Sequence, residues 1–301
     1  MDNTILNAKP AELRRLPSWM KRKKTESEKV IAIKRIIKEK GLHSVCQSAG
    51  CPNISECFEK PTATFMILGN TCTRNCRFCG VPTGKPESLD ELEPVHVAEA
   101  VKTLGLRHVV ITSVTRDDLA DGGAEHFYKT ITEIKRLNPN STTEALIPDF
   151  QGDSDSLRTV LSAGLDILNH NVETVPRLYP EVRPQADFQR SLNVLKSAKL
   201  LKPGILVKSG LMVGLGETED ELKDVFVSLT DSGCDILTIG QYLSPSVNHY
   251  PIAEFVTPEK FKRYEILARE CGIKWVSSGP FVRSSYNAEE LMNQIRNERN
   301  G

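Results

Sequence analysis

The chain has 301 residues, 39% of them hydrophobic and 26% charged, proportions of a globular chain with one large core or two modest ones and not of a disordered polymer. Lysine and arginine together number 39, as do aspartate and glutamate, so no long-range field gathers nucleic acid or an anionic membrane, and neither is expected as a partner. No apolar run approaches the roughly 18 residues of a spanning helix, and the polar stretch from Met1 to Pro10 lacks the apolar centre of a signal peptide, so a cytoplasmic location is expected.

In chain order, residues 1–24 carry a basic patch (Arg14, Arg15 and Lys21 to Lys24) without sustained apolar periodicity, which reads as an extended arm with a solvated face. Ser27 then precedes Val30, Ile31, Ile33, Ile36 and Ile37, spaced as one helical face, with Gly41 as a stop signal. A cysteine-rich segment follows, and after it β-rich runs alternate with amphipathic ones. The strand candidates are Thr64 to Leu68, His108 to Val114, Thr143 to Ile147, Asp166 to Val172, Ile205 to Met212 and Asp235 to Gln241. Between them the spacing predicts helices over Val95 to Leu104, Glu125 to Leu137, Ser156 to Ala163, Phe188 to Leu200 and Glu219 to Leu229, the last opened by a Thr218/Glu221 capping box. The tail adds a helix from Pro258 to Glu270, a short strand from Lys274 to Ser277 and a polar helix from Ala288. Repeated βα units imply a parallel sheet with right-handed crossovers. Six units without a dinucleotide fingerprint make the expected fold an α/β partial (β/α)6 TIM-type barrel.

Eight cysteines in a chain of this size do not suggest a small secreted disulfide scaffold. Six of them, Cys46, Cys51, Cys57, Cys72, Cys76 and Cys79, are crowded together, whereas Cys234 and Cys271 stand apart. Cys72-Thr-Arg-Asn-Cys76-Arg-Phe-Cys79 has CxxxCxxC spacing directly after the first strand. Three thiolates on so short a loop can share one 4Fe-4S cube and leave one iron open to a chelating substrate. A structural zinc site would want CxxC pairs and a fourth ligand, and no histidine lies within about ten residues of Cys72 or Cys79. Cys46-x4-Cys51-x5-Cys57, on what reads as a loop with Gly50, Pro52 and Asn53, suggests a second cluster; the bland alternative is three buried cysteines acting as small hydrophobes.

With Phe78 as the aromatic residue before Cys79, CxxxCxΦC after strand one of a βα barrel resembles the radical S-adenosylmethionine superfamily. That resemblance implies that the open iron binds the amino and carboxylate groups of S-adenosylmethionine, whose reductive cleavage yields a 5′-deoxyadenosyl radical. The CxxxxCxxxxxC triplet ahead of CxxxCxxC is similar to the lipoyl synthase family within that superfamily, and the match runs from the first triplet to Arg283-Ser284-Ser285-Tyr286. It implies two 4Fe-4S clusters, one on Cys72, Cys76 and Cys79, the other on Cys46, Cys51 and Cys57 with Ser285 as fourth ligand. The activity implied is insertion of two sulfur atoms into a protein-bound octanoyl-lysine, the second cluster being the sulfur source.

The partners implied are octanoylated lipoyl-carrier domains, namely 2-oxoacid dehydrogenase acyltransferase subunits and the glycine cleavage H protein, with flavodoxin or ferredoxin as reductant. On this reading residues 1–61 form an N-terminal extension with the second cluster's cysteines, 62–245 the barrel, and 246–301 a C-terminal extension. The rival readings are another two-cluster radical enzyme such as a methylthiotransferase, and a non-catalytic iron-sulfur carrier.

Working groups of parallel βα barrels sit at the C-terminal ends of strands. Those ends read Thr112-Ser113, Asn171-Val172-Glu173 and Lys208-Ser209, polar after apolar runs, and Arg183 is suited to a carboxylate. By resemblance, Phe78, Thr112, Ser113, Asn171, Glu173, Arg183 and Lys208 are the cofactor-binding set. The Gly-Gly-Glu that many superfamily members carry after strand two is replaced by Thr112-Ser113-Val114, and Gly122-Gly123 reads as a helix start. Gly214-Leu215-Gly216-Glu217 lacks the third glycine of a dinucleotide loop and reads as a strand-to-helix turn. Asp117 and Asp118 read as a solvated acidic pair without a role, and His170 as a hydrogen-bonding strand-end residue.

Overall fold

In the computed structural model the described residues are 16–21, 27–48, 50–59, 63–286 and 288–300. Most of the basic arm therefore lies outside the described residues; within it Ser18–Met20 form one 3-10 turn that buries Met20. The Ser27 hydroxyl accepts the Val30 N–H and caps α1 (Glu28–Glu39), which buries Val30, Ile33 and Ile37. β1 (His43–Ser44) follows, and then two short helices, α2 (Val45–Ser48) and α3 (Ile54–Glu59), lead to β2 (Thr64–Ile67).

Helices and parallel strands alternate from there: α4 (Glu93–Leu104), β3 (His108–Ser113), α5 (Ala124–Leu137), β4 (Thr142–Leu146), α6 (Ser154–Ser162) and β5 (Ile167–Asn169). Next come α7 (Tyr179–Val182), α8 (Phe188–Leu201), β6 (Leu206–Val213), α9 (Glu219–Asp231), β7 (Ile236–Gln241), α10 (Pro258–Glu270), β8 (Trp275–Gly279) and α11 (Ala288–Asn300). Both halves of the Thr218/Glu221 capping box are made at the start of α9.

The sheet has eight strands in sequential order, β1 antiparallel to β2 and the remainder parallel. This is the expected partial barrel, enlarged. The tail strand joins it as a further parallel strand, in register from Ile236↔Trp275 to Gly240↔Gly279. A run of apolar residues reveals a strand but not the edge it will pair with. β2 and β7 are buried on both faces, as expected for a parallel sheet wrapped by helices.

One satellite core decides which end of the barrel can work. Ile167, Leu206, Ile236 and Trp275, at the starts of four successive strands, pack with Met292 and Ile295 of α11. The last helix thereby closes the N-terminal mouth. The C-terminal strand ends, where the predicted site residues cluster, stay available for chemistry.

Candidate active site

The CxxxCxxC loop leaves β2 through Leu68, whose φ of 70° is unusual for a residue with a side chain. Three buried groups hold it there. Its N–H donates to Glu93, Glu93 bonds His126 at 2.7 Å, and Arg116 donates to the Leu68 carbonyl. A Cβ on Gly123 would sit 2.4 Å from the Leu68 side chain, so only glycine fits that position. Gly123 also precedes the first residue of α5, as the sequence suggested for Gly122-Gly123.

Within the loop, buried Arg74 donates to both oxygens of Asp117 (2.7 and 2.8 Å) and to Asp149 (2.7 Å), which is itself buried and also pairs with Arg190. Burial works against ionising Asp149, but the Arg74 guanidinium holds its carboxyl down at about 2. Asp117 is thus not a simply solvated carboxylate, since it anchors the cysteine loop, whereas Asp118 is exposed as expected and binds Arg116 at 2.9 Å. Arginines that are themselves buried determine this, and their burial has no signature in the local sequence.

The N–H groups of Arg74 and Thr115 point at the Cys72 sulfur, at 3.4 and 3.3 Å. Later segments clamp the rest: Arg77 N–H donates to Val182, Tyr250 N–H to Arg77, and the His249 Nε2 lies 3.0 Å from the Cys79 carbonyl. All three cysteines are half-buried. Burial raises the Cys76 thiol and pushes that of Cys79 up to about 12, so both await a positive centre to become thiolates.

The first triplet is not a simple loop. Cys46 lies in α2 and Cys57 in α3, with Cys51 between them. Ile54, Cys57 and Phe58 share one helical face, and Phe58 is wholly buried, which explains the helix where turn residues suggested none. The hydrogen bond with Cys51, then burial, raises the Cys46 thiol well above its ordinary value. Among the described residues no three His, Cys, Asp or Glu close upon one mononuclear ion. A cube takes one ligand per iron and so needs its thiolates farther apart than a single ion does. Within each triplet the thiols are still near enough to perturb one another.

Two hydrogen bonds, each across more than half the chain, join this region to the C-terminal motif. Asn53 donates to the Phe281 carbonyl at 2.5 Å and the Tyr286 hydroxyl donates to Glu56 at 2.9 Å. Ser285 lies on the segment they hold against the first triplet, and its hydroxyl makes no hydrogen bond among the described residues. The Ser284 hydroxyl is committed, 2.7 Å from Asn169 Nδ2 and 3.2 Å from Asn171 Oδ1. A Cβ on Gly240 of β7 would stand 2.1 Å from the Val282 carbonyl, so this glycine lets the segment cross the barrel mouth. The two triplets are also neighbours, since a Cβ on Gly80, after Cys79, would touch the Ser48 carbonyl at the end of α2.

The predicted strand-end residues divide into two levels. Asn171, Glu173 and Arg183 come together: Asn171 Nδ2 donates to Glu173 at 3.1 Å, and the Arg183 guanidinium donates to the Asn171 and Val172 carbonyls, stacks on Tyr179 and faces Glu173 and Cys76 electrostatically. Glu173 has a φ of 64°, enforced by backbone hydrogen bonds on both sides to β6. Thr112 is spent on the Leu146 carbonyl, whereas the buried Ser113 Oγ and Arg183 Nε find no partner among the described residues. A polar ligand would satisfy such atoms.

Lys208 is not brought to this group; deep in the barrel, its ammonium is 2.9 and 3.0 Å from the two oxygens of Glu144. His170 is neutral, its pKa brought down to about 4 by burial and then by Arg183. Phe78 packs half-buried against the core. Gly214 and Leu215 donate to the Glu217 carboxylate, which forms the expected turn into α9. Beside the cysteine loop a cavity of about 450 Å³ is lined by Thr115, Asp117, Leu119, Pro148, Phe150 and Gln151.

Residues 66–229 match the Radical SAM superfamily. A lipoyl synthase of Caldanaerobacter subterraneus subsp. tengcongensis is 59% identical over 275 residues, covering 91% of this chain and 96% of that protein. The chain belongs to the lipoyl synthase family. The lipoyl synthase of Caldicellulosiruptor saccharolyticus is 56% identical, with coverage of 91% and 96%. Among solved structures the chain resembles HydG, a maturase of the FeFe-hydrogenase, with a TM-score of 0.55 and 17% identity over 75% of this chain and 58% of that one. It also resembles methylornithine synthase, with a TM-score of 0.54 and 13% identity over 90% and 89%. These two likenesses establish the fold alone. As a lipoyl synthase family member the chain is a radical S-adenosylmethionine enzyme, and the superfamily implies a 4Fe-4S cluster and S-adenosylmethionine. No described helix is long and apolar enough to cross a membrane.

Proposed function

We propose that this enzyme inserts two sulfur atoms into an octanoyl chain carried on a lysine of a lipoyl-carrier domain, of the 2-oxoacid dehydrogenase acyltransferase or glycine cleavage H protein type. Cys72, Cys76 and Cys79 would hold the cluster whose open iron takes S-adenosylmethionine; Cys46, Cys51, Cys57 and Ser285 would hold a second. When bound, the first cluster with S-adenosylmethionine supplies a radical able to take hydrogen from unactivated carbon, and the second supplies sulfur.

The chain's own residues do the positioning. Asn171, Glu173 and Arg183 offer a carboxylate, an amide and a guanidinium beside Cys76, a donor set suited to the amino and carboxylate groups of the cofactor. The Ser113 Oγ and Arg183 Nε, buried without partners, support the fit. Arg74 and its aspartates keep the three-thiol loop rigid, and α11 shuts water out from the opposite end of the barrel.

The observation that carries the reading is the pair of hydrogen bonds, Asn53 to Phe281 and Tyr286 to Glu56, that tie the segment bearing Ser285 to the segment bearing the first triplet. Serine is a weaker ligand for iron than thiolate, which suits a cluster that must surrender sulfur. The commitment of Ser284 to Asn169 and Asn171 supports Ser285 as the ligand. To test it, the reduced, cluster-loaded enzyme is incubated anaerobically with S-adenosylmethionine and an octanoylated carrier peptide. 5′-Deoxyadenosine together with a dithiolated peptide is expected, and absence of 5′-deoxyadenosine would reject the reading.

A further inference from the structure

Ser284 stands at the middle of a hydrogen-bond chain running from the barrel interior to its mouth. The Glu144 carboxylate accepts from Asn169 Nδ2 at 2.8 Å, and the same nitrogen donates to Ser284 Oγ at 2.7 Å. The Ser284 hydroxyl donates to Asn171 Oδ1 at 3.2 Å, and Asn171 Nδ2 donates to Glu173 at 3.1 Å. The chain has a direction. By donating to the Asn171 carbonyl, Ser284 fixes which way the amide faces and turns its NH2 toward Glu173; a flipped amide would present oxygen to a carboxylate. Gly210 leaves room for this arrangement, because a Cβ there would stand 2.9 Å from Asn171 Oδ1 and 2.7 Å from Thr238 Oγ1. Ser284 also belongs to the segment that Asn53 and Glu56 tie to the first cysteine triplet.

We propose that Ser284 is a positioning residue that couples the seating of the C-terminal segment on the first cysteine triplet to the Asn171–Glu173 pair facing the cofactor. The inference rests on the reading that Asn171 and Glu173 receive S-adenosylmethionine and that the first triplet holds a cluster. Coupling of this kind is reciprocal: whatever seats the segment strengthens cofactor binding, and cofactor binding steadies the segment by the same factor.

The test is a double-variant cycle read by S-adenosylmethionine affinity, measured by anaerobic equilibrium dialysis on the cluster-loaded enzyme, with iron counted on the same samples. Ser284→Ala loses two neutral hydrogen bonds and is expected to weaken binding about tenfold. Ser284→Thr, which keeps the hydroxyl, restores most of it. Cys51→Ala, which removes the second cluster, also weakens binding in the parent chain but adds little in the Ser284→Ala background. Gly210→Ala displaces Asn171 from the opposite side and mimics Ser284→Ala.

Hydrogen exchange without S-adenosylmethionine gives an independent readout, faster exchange in Ser284→Ala at both 169–173 and 281–286. Unchanged affinity in Ser284→Ala, or full additivity with Cys51→Ala, overturns the proposal. Failure of the parent chain to bind S-adenosylmethionine at all would instead overturn the underlying reading.

Discussion

Lys208→Met isolates the ion pair at the centre of the barrel. Lys208 and Glu144 are 1% and 0% exposed, the ammonium contacts both carboxylate oxygens, and His108 stands 3.6 Å from one of them. Burial disfavours the Glu144 carboxylate, but Lys208 and then His108 hold its pKa at about 2, against an ordinary 4.5. That difference corresponds to about 3 kcal/mol, similar to the ~3–5 kcal/mol lost when one partner of a buried pair is removed. At m-values above those of small proteins the urea midpoint should fall by about 1 M.

The pH signature identifies the cause. The depressed pKa makes the parent chain's contribution from Glu144 complete above the unfolded value, so it is constant between about pH 5 and pH 7. In Lys208→Met burial raises Glu144 instead, and that contribution is lost as pH rises. The deficit of the variant therefore narrows on going from about pH 7 to about pH 5. Lys208→Met with Glu144→Gln, which leaves no buried charge, should recover most of the loss at neutral pH. Urea unfolding of the cluster-loaded chains under argon measures all three. A single variant as stable as the parent, or a deficit independent of pH, would refute the electrostatic account.

Other perturbations address the cluster loops. Gly240→Ala drives a Cβ into the Val282 carbonyl and should lower bound iron from about eight to about four per chain while S-adenosylmethionine cleavage persists; iron counting and 5′-deoxyadenosine release check this. Arg74→Lys loses the fork that serves Asp117 and Asp149 together and should loosen the CxxxCxxC loop, seen as slower cluster reconstitution and a stability loss of about 2 kcal/mol or more in urea unfolding. Ser285→Ala should leave cleavage largely intact and reduce dithiolated product at least about tenfold, read by mass spectrometry of the carrier peptide.

Much of this was legible in the chain because local chemistry specifies it. The Thr218/Glu221 box and the Gly123 helix start need only neighbours in sequence, and the structure shows both where they were expected. Elements that depend on distant partners were not legible. Asp166 to Val172 reads as one strand, but β5 stops at Asn169 and its pairing with β6 resumes only as an isolated bridge at Glu173, held left-handed by hydrogen bonds to Gly210 and Met212. The link from Asn53 and Glu56 to Phe281 and Tyr286 has no local signal at all. For Lys208, the partner Glu144 sits at a buried strand position, where a lone acidic residue could have warned of a buried cation.

The central claim is that the two cysteine triplets do different work, the one after β2 serving S-adenosylmethionine and the one before it supplying sulfur. The most direct test compares Cys76→Ala and Cys51→Ala, each reconstituted and reduced anaerobically, by quantifying 5′-deoxyadenosine and dithiolated octanoyl peptide in one reaction. Cys76→Ala should yield neither product, and Cys51→Ala should yield 5′-deoxyadenosine without dithiolated peptide. Full dithiolation by Cys51→Ala would contradict the account.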